Sequence, residues 1–405
     1  MSLTNPFSPM SSSPNTPGSD VTVHVFGRTD VGRTREHNED AFVIVDLTTD
    51  NSTLPSEVRT HNIGPRGTLF MVADGMGGAA AGEIASAMAV DAVLAEMRAR
   101  WIPLQTTSTE AFVRAIKQAT KAANERINTY ATHHPEYRGM GTTATVAGLF
   151  GDTLYLAQVG DSRAYVVRNG VAQQITKDQS LMQKLIEAGE LTEEQAEHSE
   201  RRNIILQALG PEPTIKVDLT HQLVRRGDTL VLCSDGLSGQ VSKDEIASIV
   251  KQAPDIAAAC ERLIDRANEA GGPDNITVIV ARFEGSGLRA VTEADEVGHR
   301  VFRLAETGQT PVRSVETTVD RETPTQPIPV VPHPHGTERA VPVPLDSATN
   351  PAYEAPPVSP ARRSAGRLIA IVLLVALVAV AAWFAYLRLG PSGAAESPGA
   401  PASGR

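Results

Sequence analysis

Residues 142–176 read TTATVAGLFGDTLYLAQVGDSRAYVVRNGVAQQIT. Short runs rich in β-branched residues are broken at Gly151-Asp152, Gly160-Asp161 and Asn169-Gly170. Breaks of this length suit antiparallel hairpins, whereas a parallel pair needs a crossover of about a dozen residues or more. The stretch therefore predicts a run of hairpins, and that decides the fold class. Outward from it, TLFMVAD (68–74), DTLVLCSD (228–235), NITVIVARF (275–283) and AFVIV (41–45) read as further strands. Two long helices lie between them. Ile84, Ala87, Val90, Leu94, Met97 and Trp101 fall on one helical stripe. Phe112, Ile116, Ala119, Ala123, Ile127 and Tyr130 keep the same period behind a Thr107-to-Glu110 capping box. Two consecutive helices amid hairpins predict an α+β fold of two packed antiparallel sheets flanked by helices, an α-β-β-α sandwich, rather than a doubly wound parallel sheet.

That globular region runs from about residue 21 to 284. Before it, residues 1–20 are Ser-, Pro- and Asn-rich, without apolar period or secretory signal, and read as a disordered arm. From 285 to 367 prolines recur, as in TPTQPIPVVPHPH and APPVSP, and periodicity vanishes. This is the composition of a disordered linker, and some eighty residues of flexible chain reach about 50 Å. Residues 368–387, LIAIVLLVALVAVAAWFAYL, carry no charge. Twenty helical residues cover about 30 Å, the thickness of a bilayer's hydrocarbon core. A transmembrane helix is expected, with Trp383 and Tyr386 at one interface. Arg362, Arg363 and Arg367 precede it and Arg388 follows, which places the large domain in the cytoplasm and residues 388–405 outside. The net charge of −10 argues against a nucleic-acid binder, which needs a basic face. Cys233 and Cys260 lack the spacing of a zinc site and read as buried thiols in a reducing compartment.

Asp40, Asp74, Asp235 and Asp274 each abut a strongly apolar strand. Strand ends are where side chains from distant segments can converge. Taken singly, an Asp beside Gly is turn or cap chemistry, and Asp152 and Asp228 read that way. Were the four to converge, two carboxylates 4–5 Å apart would repel by roughly 3–4 kcal/mol at an effective dielectric of about 20. Protons or cations must offset that. Oxygen ligands without Cys or clustered His select Mg²⁺ or Mn²⁺. Two such ions can bridge a water, lower its pKa and aim it at phosphorus. Arg35, five residues ahead of Asp40, has the planar fork that suits the non-bridging oxygens of a phosphate. Its competing role is a surface ion pair with Glu36 or Glu39.

The ordered set TDVGRTREHNEDAF, VADGMGGAAAGEIAS, GMGTTATV, AQVGDSRAYV, LCSDGLS and GGPDNITVIV resembles the metal-dependent protein phosphatases, the type 2C Ser/Thr family. The resemblance covers about 21–284. It implies a dinuclear Mn²⁺/Mg²⁺ site held by Asp40, Asp74, Asp235, Asp274 and the Gly75 carbonyl, with Glu39 in the outer sphere. It gives Arg35 the substrate phosphate and Asp161 a third, weaker metal, with turn chemistry as the rival for Asp161. Residues 180–210 match the flap of bacterial members, though an ordinary surface helix pair reads alike. Met76 stands where some relatives carry a His proposed to protonate the leaving group, so the general acid is open; His37 is not favoured. Gln179 stands where bacterial relatives would have His, which puts substrate positioning in question.

Together with the span at 368–387, the resemblance implies a membrane-anchored phosphoprotein phosphatase, expected to be monomeric, in which a metal-bridging hydroxide attacks phosphoserine or phosphothreonine in line, opposing a Ser/Thr kinase. Thr310, Thr323 and Ser359, each before a proline, are candidate phosphosites in the linker. Two rivals share the site: a phosphatase restricted to an anti-sigma antagonist, and a catalytically inactive module that binds phosphoproteins.

Overall fold

Strand and helix order follow from where the chain can bury apolar side chains. The computed structural model describes residues 20–51, 59–77, 81–197, 199 and 201–304. The N-terminal arm up to residue 19, most of the Pro-rich linker, the apolar segment 368–387, the C-terminal tail and the three linker phosphosites lie outside those residues. Among the described residues no helix is long and apolar enough to cross a membrane.

The elements are β1 (Thr22–Asp30), β2 (Asp40–Asp46), β3 (Arg59–Asn62), β4 (Thr68–Met76), α1 (Ala81–Arg100), α2 (Thr109–His133), β5 (Gly141–Thr142), β6 (Ala144–Phe150), β7 (Thr153–Val159), β8 (Arg163–Arg168), β9 (Val171–Gln174), α3 (Leu181–Glu187), α4 (Glu193–Glu197), β10 (Asp218–Leu223), β11 (Thr229–Cys233), α5 (Asp235–Ser238), α6 (Lys243–Gln252), α7 (Ile256–Glu269) and β12 (Ile276–Glu284). One antiparallel sheet has the order β3-β1-β12-β11-β8-β9, the other β10-β7-β6-β4-β2. The hairpin run of the sequence is β6 to β9. Asn169 (φ 53°) and Gly170 (φ 79°) both take the left-handed conformation that a type I′ turn requires.

The central strands β4, β6, β7, β11 and β12 are buried on both faces, which explains why they carry so few polar positions. In β4, Phe70 and Val72 enter the core between the sheets, while Leu69, Met71 and Ala73 face α1 and α2. In β11, Leu230 and Leu232 point to the sheet–sheet core, and Val231 and Cys233 toward α6 and α7. The expected α+β sandwich is observed, with a second helix layer, α6 and α7, that the sequence reading had not placed.

Three local expectations need correction. In α1 the buried face runs through Ala85, Ala89, Ala92 and Val93 as well as the expected Leu94, Met97 and Trp101, while Ile84 and Val90 are partly buried and Ala87 is exposed. The helix is wedged between α2 and β4, so close approach favours small side chains there. The α2 cap is Ser108, whose Oγ accepts from Ala111 N, not Thr107. Asp228 is no simple turn residue. Its carboxylate takes Nε and Nη2 of buried Arg168 at 2.9 and 2.6 Å and the backbone N–H of Arg225 at 2.7 Å.

Packing also continues past residue 284. Leu288 is buried, Arg225 donates to Asp295 at 2.8 Å, and Phe302 stacks edge-on to Tyr155 and His221. Phe302 N bonds Leu219 O and His221 N bonds Arg300 O. Residues 300–302 thereby cover the open edge of β10, where unpaired backbone groups would otherwise face solvent. The strap has no apolar periodicity, so the sequence alone ends the packed region at 284, although the prolines begin only after the strap.

Candidate active site

The register of the two sheets brings the four predicted aspartates to one pole. Asp40 and Asp74 are directly opposed across β2 and β4. Cys233 opposes Val278 across β11 and β12, so Asp235, just past the end of β11, lies near Asp274, just before β12. Glycine makes the close approach possible. A Cβ on Gly75 would run into the carbonyls of Gly82 and Glu39, and one on left-handed Gly32 into that of Asp274.

The carboxylates are electrostatically frustrated. Burial raises the Asp40 carboxyl to about 7, against hydrogen bonds from Thr277 and Ser234 and with the charges of Asp235 and Asp274 adding to the rise. Burial, followed by the charges of Asp40, Asp235 and Asp161, holds Asp74 well above the usual carboxylate range. Burial and the Asp274 charge raise Asp235, despite a hydrogen bond with Asp74. Asp161 is buried in the β7–β8 turn and also raised to about 7, by burial and then by Asp235. Burial raises Glu39, which Arg35 partly reverses.

Three of these groups keep a buried oxygen with no hydrogen-bond partner: Asp40 Oδ1, Asp161 Oδ1 and Asp235 Oδ1. Buried polar atoms seldom go unpaired, and orphaned carboxylate oxygens turned toward like charges fit hard divalent cations. Among the described residues no three His, Cys, Asp or Glu side chains close round a single point. The arrangement is a convergence of carboxylates, suited to ions that retain several waters. Asp161 faces the cluster through the Asp235 charge that helps to raise it, while a hydrogen bond from its own backbone N–H keeps a turn role beside that one.

Arg35 meets neither Glu36 nor Glu39 in a hydrogen bond. Its Nη2 donates to Asp274 Oδ2 at 2.8 Å on the exposed side of the cluster. Glu39 uses its backbone N–H on Asn275 Oδ1 at 2.8 Å, and its carboxylate sits against Gly82 in the first turn of α1. Met76 is partly buried beside Gly141 in β5, and His37 is exposed.

The sequence reading missed the groups that hold this loop. Asn275 donates from Nδ2 to Val31 O and His37 O, both at 2.9 Å, and accepts from Glu39 N. One carboxamide thus fixes the segment carrying Arg35 and Asp40. Ser234 donates to Asp40 Oδ2 at 2.8 Å and accepts from Thr277 N at 3.0 Å. The only signal was adjacency, since each neighbours a predicted ligand. Gln179 is also a tie. Its Oε1 accepts from Gly160 N and Gln207 Nε2, and its Nε2 donates to Asp218 Oδ2 at 2.9 Å. It joins the Asp161 turn to the end of segment 180–210, which is two short helices and a bridge between Ser180 and Ile205.

Replacing Asn275 by Ala should free the Arg35 loop. We expect a roughly 10- to 100-fold loss of kcat/KM, the size that follows removal of groups that orient a site's side chains, and a stability loss of about 1–3 kcal/mol from the groups left unpaired. Steady-state kinetics and thermal melts of that variant check both.

Comparison with known proteins identifies relatives of the chain. The family profile described as Protein phosphatase 2C matches residues 57–277. The serine/threonine phosphatase stp of Listeria monocytogenes is 36% identical over 258 residues, covering 64% of this chain and 95% of that protein. PstP of Mycobacterium tuberculosis is 40% identical over 214 residues, covering 53% of this chain and 40% of that one. The crystal structure of the PstP catalytic domain in complex with two manganese ions superposes with a TM-score of 0.53 at 34% identity, covering 65% of this chain and 99% of that one.

Proposed function

The chain belongs to the protein phosphatase 2C family, and we propose that it hydrolyses phosphoserine and phosphothreonine in proteins at the pole where Asp40, Asp74, Asp235 and Asp274 meet. The observation that carries this reading is the set of half-buried, mutually repelling carboxylates, several with an orphaned buried oxygen, beside an exposed arginine. Asp40, Asp74, Asp235 and Asp274 would hold two divalent cations, Mn²⁺ as in the PstP complex or Mg²⁺, with the Gly75 carbonyl as a further ligand and Asp161 serving a third. Such ions supply Lewis-acid polarisation and an activated water.

The residues of the chain do the rest. Arg35 spends one N–H on Asp274 and retains a fork for the non-bridging oxygens of the phosphate. Asn275 and Ser234 keep Arg35 and Asp40 in place. Positioning and charge neutralisation then account for catalysis without a covalent intermediate. Met76 has no proton to donate, so a water or another acid of the chain would protonate the leaving group. The retained aspartates and Arg35 disfavour an inactive binding module.

Residues 368–387 would anchor the enzyme in the membrane with the catalytic domain in the cytoplasm, opposing a Ser/Thr kinase. Phosphate release from a phosphothreonine peptide should require Mn²⁺, stop with EDTA and sediment with membranes, moving to the soluble fraction when 368–387 is deleted. Metal-independent release, or activity that stays soluble in the intact chain, would contradict the respective halves of the proposal.

A further inference from the structure

The sandwich has a second pole, away from the carboxylates. β11 leads from Thr229 to Cys233 and on to Asp235, so at about 3.3 Å per residue its start stands roughly 20 Å from the acidic cluster. A half-open cavity of about 290 Å³ lies there. Val167, Thr229 and Arg282 sit side by side across β8, β11 and β12 along one side of it. Arg226, from the turn before β11, and Lys251, from the end of α6, complete it, with Val291 contributed by the strap.

Three cations therefore share one concavity, and none forms an ion pair among the described residues. Arg226 donates to Gly285 O and Leu288 O, both at 3.0 Å, which fixes its guanidinium without neutralising it. Arg282 has only a 3.5 Å contact with Thr229 Oγ1. Lys251 lies across the β8–β9 turn, where a Cβ on Gly170 would stand 3.3 Å from its Cδ and 3.7 Å from its Nζ. The single carboxylate in the lining, Asp228, is occupied by Arg168 and the Arg225 N–H. By contrast, Arg163 pairs with Asp178, Arg168 with Asp228 and Arg225 with Asp295.

We propose that this cavity is a second anion site that binds a phosphomonoester group, specifically a phosphorylated threonine or serine side chain of a protein. Two guanidinium forks and an ammonium match a dianionic phosphoryl group. Val167, Val250 and Val291 line the same cavity and suit the short hydrocarbon stem of such a residue. Binding here does not depend on chemistry at the acidic pole, so the two assignments stand or fall separately.

The test uses the detergent-solubilised full chain carrying Arg35→Ala, in EDTA, to silence the acidic pole. A fluorescent peptide with one phosphothreonine is titrated by anisotropy. Saturable binding is expected, absent for the unphosphorylated peptide and weaker as salt rises. Lys251→Ala with Arg282→Gln should weaken it at least roughly tenfold, while Lys251→Arg preserves it. Inorganic phosphate is the second arm. Displacement only at concentrations far above those of the peptide identifies the phosphorylated side chain as ligand, and equal potency identifies free phosphate. With Arg35 intact, the double variant should hydrolyse p-nitrophenyl phosphate within about twofold of the parent, since that small substrate cannot span roughly 20 Å. No saturable binding, unchanged affinity in the double variant, or loss of turnover together with binding would each overturn the proposal.

Discussion

Replacing Asp235 by Asn is expected to lower manganese-dependent hydrolysis of p-nitrophenyl phosphate by at least about a hundredfold while raising the melting temperature of the metal-free protein. If Asp235 is a ligand as proposed, the change removes charge from the one place where it would balance the ions, and effects of that size accompany loss of single electrostatic groups in active sites. The rise in stability has a separate cause. Without cations, folding forces Asp40, Asp74, Asp161 and Asp235 together, and their carboxyls sit above the ordinary value, at about 7 for Asp40 and Asp161.

The pH dependence follows from the same shift. An acid whose folded pKa exceeds its unfolded value, about 3.9 for Asp, binds more protons folded than unfolded at intermediate pH. Stability in EDTA should therefore decline as pH rises from about 4 to about 7, and added Mn²⁺ should restore more at pH 8 than at pH 5. The Asn variant should show a shallower decline. Full turnover in the variant, or melts that ignore both pH and metal, would contradict the site.

The second large effect lies at the opposite end of β11. Asp228→Ala should cost about 3–5 kcal/mol, because it strands the Arg168 guanidinium, whose side chain is 6% exposed and pairs with no other carboxylate among the described residues. It also removes the acceptor for Arg225 N. Arg168 retains only the carbonyls of Leu223 and Asp295, which cannot offset its charge. Replacing both partners by apolar residues of similar volume should recover much of the loss, since a buried pair is often no better than a hydrophobic isostere. Urea denaturation of the single and double variants measures this. Near-wild-type stability in Asp228→Ala would mean that water reaches Arg168.

What the sequence made legible was set by how local the cause is. The hairpins from β6 to β9 carry their own turn residues, so their pairing could be read directly. The aspartates at strand ends could be placed because each follows or precedes an uninterrupted apolar run. Their meeting, however, depends on register, and Asp40 faces Asp74 only because β2 and β4 pair with that offset. Asn275 and Ser234 were invisible for the same reason, since their partners are 238 and 194 positions away. Asp228 resembled a turn because its real partner, Arg168, is 60 residues upstream. The strap at 285–304 has no periodicity, because it is held by backbone bonds to β10 and a few side chains rather than by an apolar face. Layer α6 and α7 did have local signals, a Ser242–Glu245 capping box and an apolar stripe through Ile256, Ala259, Cys260, Leu263 and Ala267. Those signals were overshadowed by the longer helices.

The most direct measurement is anomalous diffraction at the manganese edge from crystals of this protein grown with Mn²⁺. Two peaks about 3.5–4 Å apart, within bonding distance of carboxylate oxygens from Asp40, Asp74, Asp235 and Asp274, are the expected result. Absence of manganese from that pole, or ions bound elsewhere while these side chains stay out of reach, would contradict the account.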